Sequence, residues 1–209
     1  MTDIDLVLAT HNAHKVREFQ SIIGDRLPGA RILPYDGPEP VENGVTFAEN
    51  ALIKARAAAE HTGLVALADD SGICVNVLGG APGIFSARWA GRHGGDAANL
   101  RLLLDQLSDI PDPHRIAHFA CTIAVVRPAA AGIGAGAERT VEGIWRGRLA
   151  DGASGENGFG YDPIFVPDGE RVTSAQLSPR RKNATSHRAR AFELMIPVIA
   201  EFTSGARDR

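Results

Sequence analysis

The residues best able to do chemistry sit where short apolar runs give way to polar ones. The first such place is Asp69-Asp70-Ser71-Gly72, directly after the apolar residues 64–68. Two adjacent carboxylates beside an apolar strand repel and desolvate each other unless a cation or a donor compensates. Oxygen ligands with no Cys/His cluster suit a hard ion such as Mg2+. A turn held by its own Asx side chains accounts for the same four residues, and the local pattern does not choose between the two.

Thr10-His11-Asn12-Ala13-His14-Lys15 follows the apolar residues 6–9 and precedes a helical pattern with Val16, Phe19, Ile22 and Ile23 on one face. A loop between a strand and a helix offers free N–H groups and the positive end of the helix dipole, which suits a phosphate chain. Taken alone, Asn12 and Lys15 read more simply as a cap and a solvated lysine. Glu42 stands just ahead of a helix carrying Glu49, Asn50 and Lys54, with Asn50 and Lys54 on one face; that spacing is also that of an ordinary exposed pair. In Gly155-Glu-Asn-Gly-Phe159-Gly160-Tyr161-Asp162-Pro163, glycines around Phe159 let backbone approach a flat ligand, and the ring offers a stacking face. Lys182 and Ser186-His187-Arg188 follow, the latter at a helix start that receives anions and carbonyl oxygens well. Lys182 also reads as one more charge of a basic run, and His187 as a helix-start residue.

Three patterns carry no chemistry. Gly132-Ile-Gly-Ala-Gly-Ala has a glycine rhythm but no following helix or ribose-binding acid. His11 and His14 have no third ligand at metal spacing. Ser71 and Ser86 lack the Gly-x-Ser-x-Gly elbow of hydrolases.

The elements that must position these groups follow from hydrophobic periodicity. Residues 64–68 read as a strand ending at Asp69, with Ile73, Val75 and Val77 alternating as a hairpin partner. Thr46-Phe-Ala-Glu49 has capping-box spacing and opens a helix that stops near Gly63. Residues 99–107 form a helix with a Leu100, Leu103, Leu104 and Leu107 stripe. Residues 119–126 make a central strand and 140–149 its antiparallel partner, joined by an Ala- and Gly-rich flexible loop over 128–136. The last helix spans about 186–202, with Pro197 as a possible kink. Crossover helices together with long hairpins imply an α/β mixed sheet rather than a pure Rossmann winding, and an elongated fold with a central cleft between two lobes fits them.

The 209 residues suit one domain, with a frayed tail over about 204–209. A hydrophobic content of 44% suffices for a core, and a net charge of −3 with no long basic run argues against a dedicated nucleic-acid binder. Cys74 and Cys121 read as small buried hydrophobes in a reducing compartment. No signal peptide and no membrane span is evident, so a cytoplasmic location is expected.

Taken together, these segments resemble the inosine triphosphate pyrophosphatase family, which clears ITP, dITP and XTP from the nucleotide pool. Six signatures carry the resemblance in the family's order: Ala9-Thr-x-Asn-x-x-Lys15, Glu42-x-Gly-x-Thr-Phe-x-Glu-Asn-Ala51, Ala68-Asp-Asp-Ser-Gly72, Leu78-Gly-Gly-Ala-Pro-Gly-x-x-Ser-Ala-Arg88, Gly158-Phe-Gly-Tyr-Asp-Pro163 and Ser186-His-Arg188. His11 and His14 depart from it, standing where relatives often carry smaller residues. The resemblance implies a mixed α/β fold with a deep cleft, a Mg2+ requirement, a homodimer and nucleoside triphosphates as small-molecule substrates, with no stable nucleic-acid or membrane partner. It makes Asp70 the general base and a metal contact, Glu42 the other metal-associated carboxylate, and Asp69 a support for Asp70. It places residues 10–15 and Lys182 on the triphosphate, and Ser71, Phe159, Gly160, Tyr161, Asp162, His187 and Arg188 around the nucleoside. Two other readings compete: a related pyrophosphatase for modified pyrimidines, and a nucleotide-binding regulator without turnover.

Overall fold

Strand β1 (Ile4–Leu8) is the apolar opening run, and β2 (Ala30–Pro34) and β3 (Val65–Val75) both lie parallel to it. The computed structural model describes residues 4–11, 15–16, 19–20, 27, 29–91, 95–129 and 136–204. Strands β4 (Ile116–Arg127), β5 (Ala137–Leu149) and β6 (Phe165–Pro167) complete a six-stranded sheet in the order β2-β1-β3-β4-β5-β6. Since β5 pairs antiparallel with β6, the sheet is mixed and the fold α/β, as the alternation of crossovers and hairpins implies.

The chain forms two compact units, one from Met1–Asp70, Cys121–Gly143 and Ala189–Arg209, the other from Ser71–Ala120 and Ile144–Arg188. In the first unit β1 is buried on both faces, as strands of parallel sheets are. Leu6 and Leu8 join a core with Phe19, Leu67, Phe192 and Met195, whereas Val7 joins the alanines of helix α1 (Phe47–Thr62). Phe19 meets Phe192 edge to face at 4.3 Å, which anchors the segment after Lys15, itself helical at residues 15, 16, 19 and 20. In α1 the alanines at 51, 55, 58 and 59 are fully buried, so small side chains set a close helix–sheet approach. Thr46 caps this helix, accepting from Glu49 N at 3.1 Å. The Glu49 carboxylate reaches Val45 N at 2.6 Å, one residue earlier than a capping box predicts. Gly63 ends the helix with φ 70°.

The second unit packs Leu103 and Leu107, from and just beyond helix α2 (Gly95–Gln106), against Ile73, Phe119, Trp145 and Phe165. Helices α3 (Pro179–Thr185) and α4 (His187–Ser204) close the chain, and α4 runs on through Pro197. Ile22, Ile23, residues 130–135 and residues 205–209 lie outside the described residues, and with them parts of the expected first helix, loop and tail. One expectation is corrected. Residues 65–75 form a single strand, so Asp69-Asp70-Ser71-Gly72 is mid-strand backbone and not a turn before a hairpin. Its flanks, 65–68 and 73–75, both have strand character, and the β ladder overrides the turn propensity of the polar residues between them.

Candidate active site

Placing the acidic pair inside a strand changes its electrostatics, because successive side chains leave on opposite faces. Asp69 is 3% exposed and takes the Lys15 ammonium at 2.9 Å. Asp70 accepts from Asn50 Nδ2 at 3.2 Å through Oδ2, while its Oδ1 lies 3.4 Å from Lys54 Nζ. The same ammonium is 3.1 Å from Glu42 Oε1, so Glu42 and Asp70 gather around one lysine. Burial pushes the Asp70 carboxyl above its ordinary range, Lys54 pulls it back, and Glu42 pushes it up again. The carboxylate that opposes its ionisation is therefore Glu42, 28 positions away in the chain by the numbering, and not the adjacent Asp69 that the sequence suggests. Burial disfavours the charge on Lys54, but Asp70, Asp69 and Glu42 together hold its pKa above the usual lysine value.

Asn50 and Lys54 do more than an exposed pair would. Asn50 is fully buried, and its Oδ1 accepts from Gly44 N at 2.9 Å, fixing the segment that carries Glu42. A side chain at Gly44 would come within 2.7 Å of that same Oδ1. Among the sequence-selected phosphate residues, Thr10 follows the end of β1 and Lys15 reaches Asp69. His11 stacks on Tyr35 at 5.7 Å, its Nδ1 3.0 Å from Glu39. Asn12, Ala13 and His14 lie outside the described residues. Among the described residues no three His, Cys, Asp or Glu side chains form a metal cage. Two carboxylates with oxygen donors alone fit a hard divalent cation that completes its shell with water and phosphate oxygens.

The second unit holds a cavity of about 110 Å³ whose walls include Ser71, Phe159, Tyr161, His187 and Arg188. Arg188 is buried; its Nη2 lies 3.1 Å from Ser71 Oγ, and its guanidinium sits 5.3 Å from the Phe159 ring centre. His187 stacks on Phe119 at 4.8 Å. No hydrogen bond from the described residues reaches His187 Nδ1 or Arg188 Nε, although both side chains make other contacts. Tyr161 donates to Ser86 O at 2.8 Å, and burial raises its phenol well above the usual tyrosine range.

Lys182, expected with the triphosphate residues, lines this cavity. It is buried, bonded to Asp162 Oδ2 at 2.5 Å, with its ammonium 5.4 Å from the Phe159 ring centre. The reason is α3: Ser178 caps it, and the turn that follows aims Lys182 inward while Arg181 pairs with Glu170. Asp162 itself is 3% exposed, and its oxygens also take Phe159 N at 2.9 Å and Ser174 Oγ at 2.8 Å. Gly158 has φ 81°, and a Cβ there would collide with Asp162, so this loop position excludes any side chain.

Sequence reading passed over Asp96 and Phe119, which line the same cavity. Phe119 sits in an apolar run with no mark of its own, and Asp96 looks like an ordinary acidic helix start. Ser86 was set aside as a nucleophile, and its hydroxyl is engaged with Gly83 O at 2.6 Å and Ile73 N at 2.9 Å.

Comparison with known proteins bears on the whole chain. Residues 6–198 match the model of the Ham1 family. A dITP/XTP pyrophosphatase of Leifsonia xyli subsp. xyli is 63% identical over 196 residues, 94% of this chain and 96% of that protein. One from Streptomyces avermitilis is 57% identical over 201 residues, 94% of this chain and 97% of that protein. The solved structure of a HAM1 protein from Coxiella burnetii superposes with a TM-score of 0.83 at 41% identity, covering 95% of this chain and 99% of that one. With the sequence match spanning the residues of both clusters and the fold matching over nearly their full length, the chain belongs to the Ham1 family.

Proposed function

We propose that this chain hydrolyses non-standard purine nucleoside triphosphates (ITP, dITP and XTP) to the monophosphate and pyrophosphate, and so keeps these bases out of DNA and RNA. The observation that carries the reading is Asp70. It is a half-buried carboxylate with a raised pKa, grouped with Glu42 around Lys54, in a family whose relatives are dITP/XTP pyrophosphatases. A carboxyl shifted upward is a better proton acceptor than an ordinary aspartate. Asp70 orients a water and takes its proton as the water oxygen bonds to the α-phosphorus. The bond from that phosphorus to the β-phosphoryl oxygen breaks, and pyrophosphate leaves. Lys54 keeps Asp70 and Glu42 together while Asp69 holds Lys15, and the phosphate residues 10–15 complete this role. Glu42 and Asp70 would hold Mg2+, whose chemistry here is to offset negative charge on the phosphate chain.

Purified protein with ITP and Mg2+ is expected to release IMP and pyrophosphate in equal amounts, and chelation is expected to abolish turnover. Orthophosphate as the first product would overturn the reading. Turnover also separates this reading from that of a binder without catalysis, and a substrate panel separates it from a pyrimidine-directed relative. The same reading makes the protein a homodimer, which sedimentation of the purified chain tests, and places it in the cytoplasm without a nucleic-acid or membrane partner. Among the described residues, no helix is long and apolar enough to cross a membrane.

Selectivity follows from donors. Inosine and xanthosine carry a carbonyl at purine position six where adenosine carries an amine, and buried N–H groups from Arg188 and His187 match the former. Leaving buried donors unmatched discriminates by factors of about 10⁴ or more. Arg188→Ala is therefore expected to lower the ITP-to-ATP ratio of kcat/KM by at least about tenfold. An unchanged ratio would remove Arg188 from this role. Phe159 stacks on any purine and adds affinity without choice.

A further inference from the structure

The wall of the nucleoside cavity that Phe159 forms is backed by Lys182 and Arg188 on its cavity side but is open to solvent. Phe159 is 43% exposed, and it stands between Gly158 (φ 81°) and Gly160 (φ 62°). The cavity lies on one side, and a hollow of about 590 Å³ lined by Leu100, Leu104 and Pro163 lies on another; Asp96, Phe159 and Gly160 border both. A short segment with space around it and glycines at either side opens easily unless its backbone is held. Three hydrogen bonds of its backbone hold it: Phe159 N donates to Asp162 Oδ2, Phe159 O accepts from Asp162 N at 3.2 Å, and Gly160 N donates to Asp96 Oδ2 at 3.0 Å, the last of these tying it to helix α2.

We propose that Asp96 is a positioning residue that latches this wall closed over the purine, an inference that rests on the nucleoside reading of the cavity. An aspartate in the first turn of a helix ordinarily serves its own N–H groups or the helix dipole. Asp96 instead bonds an amide 64 positions away in the chain. The turn it stands on is firm. Asn99, one turn further, is buried, accepts from Ala90 N at 2.7 Å and donates to Ala87 O at 3.1 Å, and Ala87 also lines the cavity. One turn of α2 thus grips two lining segments, Asn99 from within the packed unit and Asp96 at its exposed edge. A charge-assisted bond at an exposed edge is strong enough to bias a loop, yet weak enough to release it for substrate entry and product exit.

The test pairs Asp96→Ala with Asp96→Asn and Phe159→Ala, reading kcat and KM for dITP and hydrogen exchange at the Gly160 amide. Asp96 is exposed, so its truncation spares the core. Asp96→Ala is expected to raise KM about fivefold to tenfold with kcat within about twofold, and to speed Gly160 exchange by a similar factor, the scale of one such hydrogen bond. Asp96→Asn retains an acceptor oxygen and is expected to recover most of both changes. A KM raised by Phe159→Ala but not by Asp96→Ala would overturn the latch and leave the nucleoside reading standing. A KM unmoved by either would overturn both. A fall in kcat matched by a fall in Tm, with no rescue by Asn, would make Asp96 a purely structural residue and likewise end the proposal.

Discussion

Replacing Asp70 by Asn is expected to lower kcat for dITP by at least about 10²-fold, the low end for a lost general base, with a smaller change in KM. The substitution keeps the shape of the side chain and removes its charge. The Asn50 contact and the strand backbone therefore persist, while proton acceptance and the negative charge offered to Lys54 and to a cation are lost. A second readout separates this from damage to the fold. Burial raises the Asp70 pKa in the folded protein above its unfolded value, so the protonated form is the favoured one there. Its stability contribution is then complete below the ordinary carboxylate range and is lost as pH rises through the raised value. At neutral pH the ionised Asp70 is thus a cost, and Asp70→Asn is expected to show a Tm equal to or above that of the wild type. The difference should shrink on acidification. The measurement belongs in chelator, since a bound cation would pull the pKa back down. A mutant with unaltered kcat, or one whose loss lies wholly in KM, would show that another group takes the proton.

That residue 70 carries a carboxylate in an unusual setting could be read from sequence, because acidic residues at the end of an apolar run need a reason. Why it is perturbed could not. The argument from adjacency took Asp69 and Asp70 to crowd each other where the apolar strand ends. The strand that actually carries them sends them apart, and the like charge comes from Glu42 through tertiary structure. Local spacing correctly put Asn50 and Lys54 on one helix face. Whether that face was solvated or buried against the acidic pair depended on where β3 lies in the sheet, which periodicity does not report.

The opening strand, the capped helix and the Leu103–Leu107 stripe were legible for the opposite reason, since each is fixed by its own apolar period and the helix at 47–62 also by its caps. Lys182 illustrates the boundary between the two cases. The family resemblance implied a phosphate partner, while its own neighbourhood read as one more charge of a basic run. The seven-residue helix that aims it toward Asp162 is too short to announce a direction.

Asp162→Ala is expected to be the most damaging single change to stability, by about 3–5 kcal/mol, the usual cost of stranding one member of a buried ion pair. The carboxylate is 3% exposed and the Lys182 ammonium, also buried, has it as its close ion-pair partner at 2.5 Å. Removing it leaves a cation with little access to water and deprives both Phe159 N and Ser174 Oγ of an acceptor. A buried pair is replaceable as a unit far more cheaply than it is breakable. Asp162→Asn combined with Lys182→Met is therefore expected to recover most of the lost stability in urea unfolding, because Asn still accepts and Met fills the volume of the lysine stem. Activity should not return, since the double variant lacks the cation beside the Phe159 ring. If single and double variants were equally unstable, Asp162 would matter through its hydrogen bonds to the loop and not through charge. If the double variant were also fully active, Lys182 would have no part in the site, and its place in the cavity would be one of packing alone.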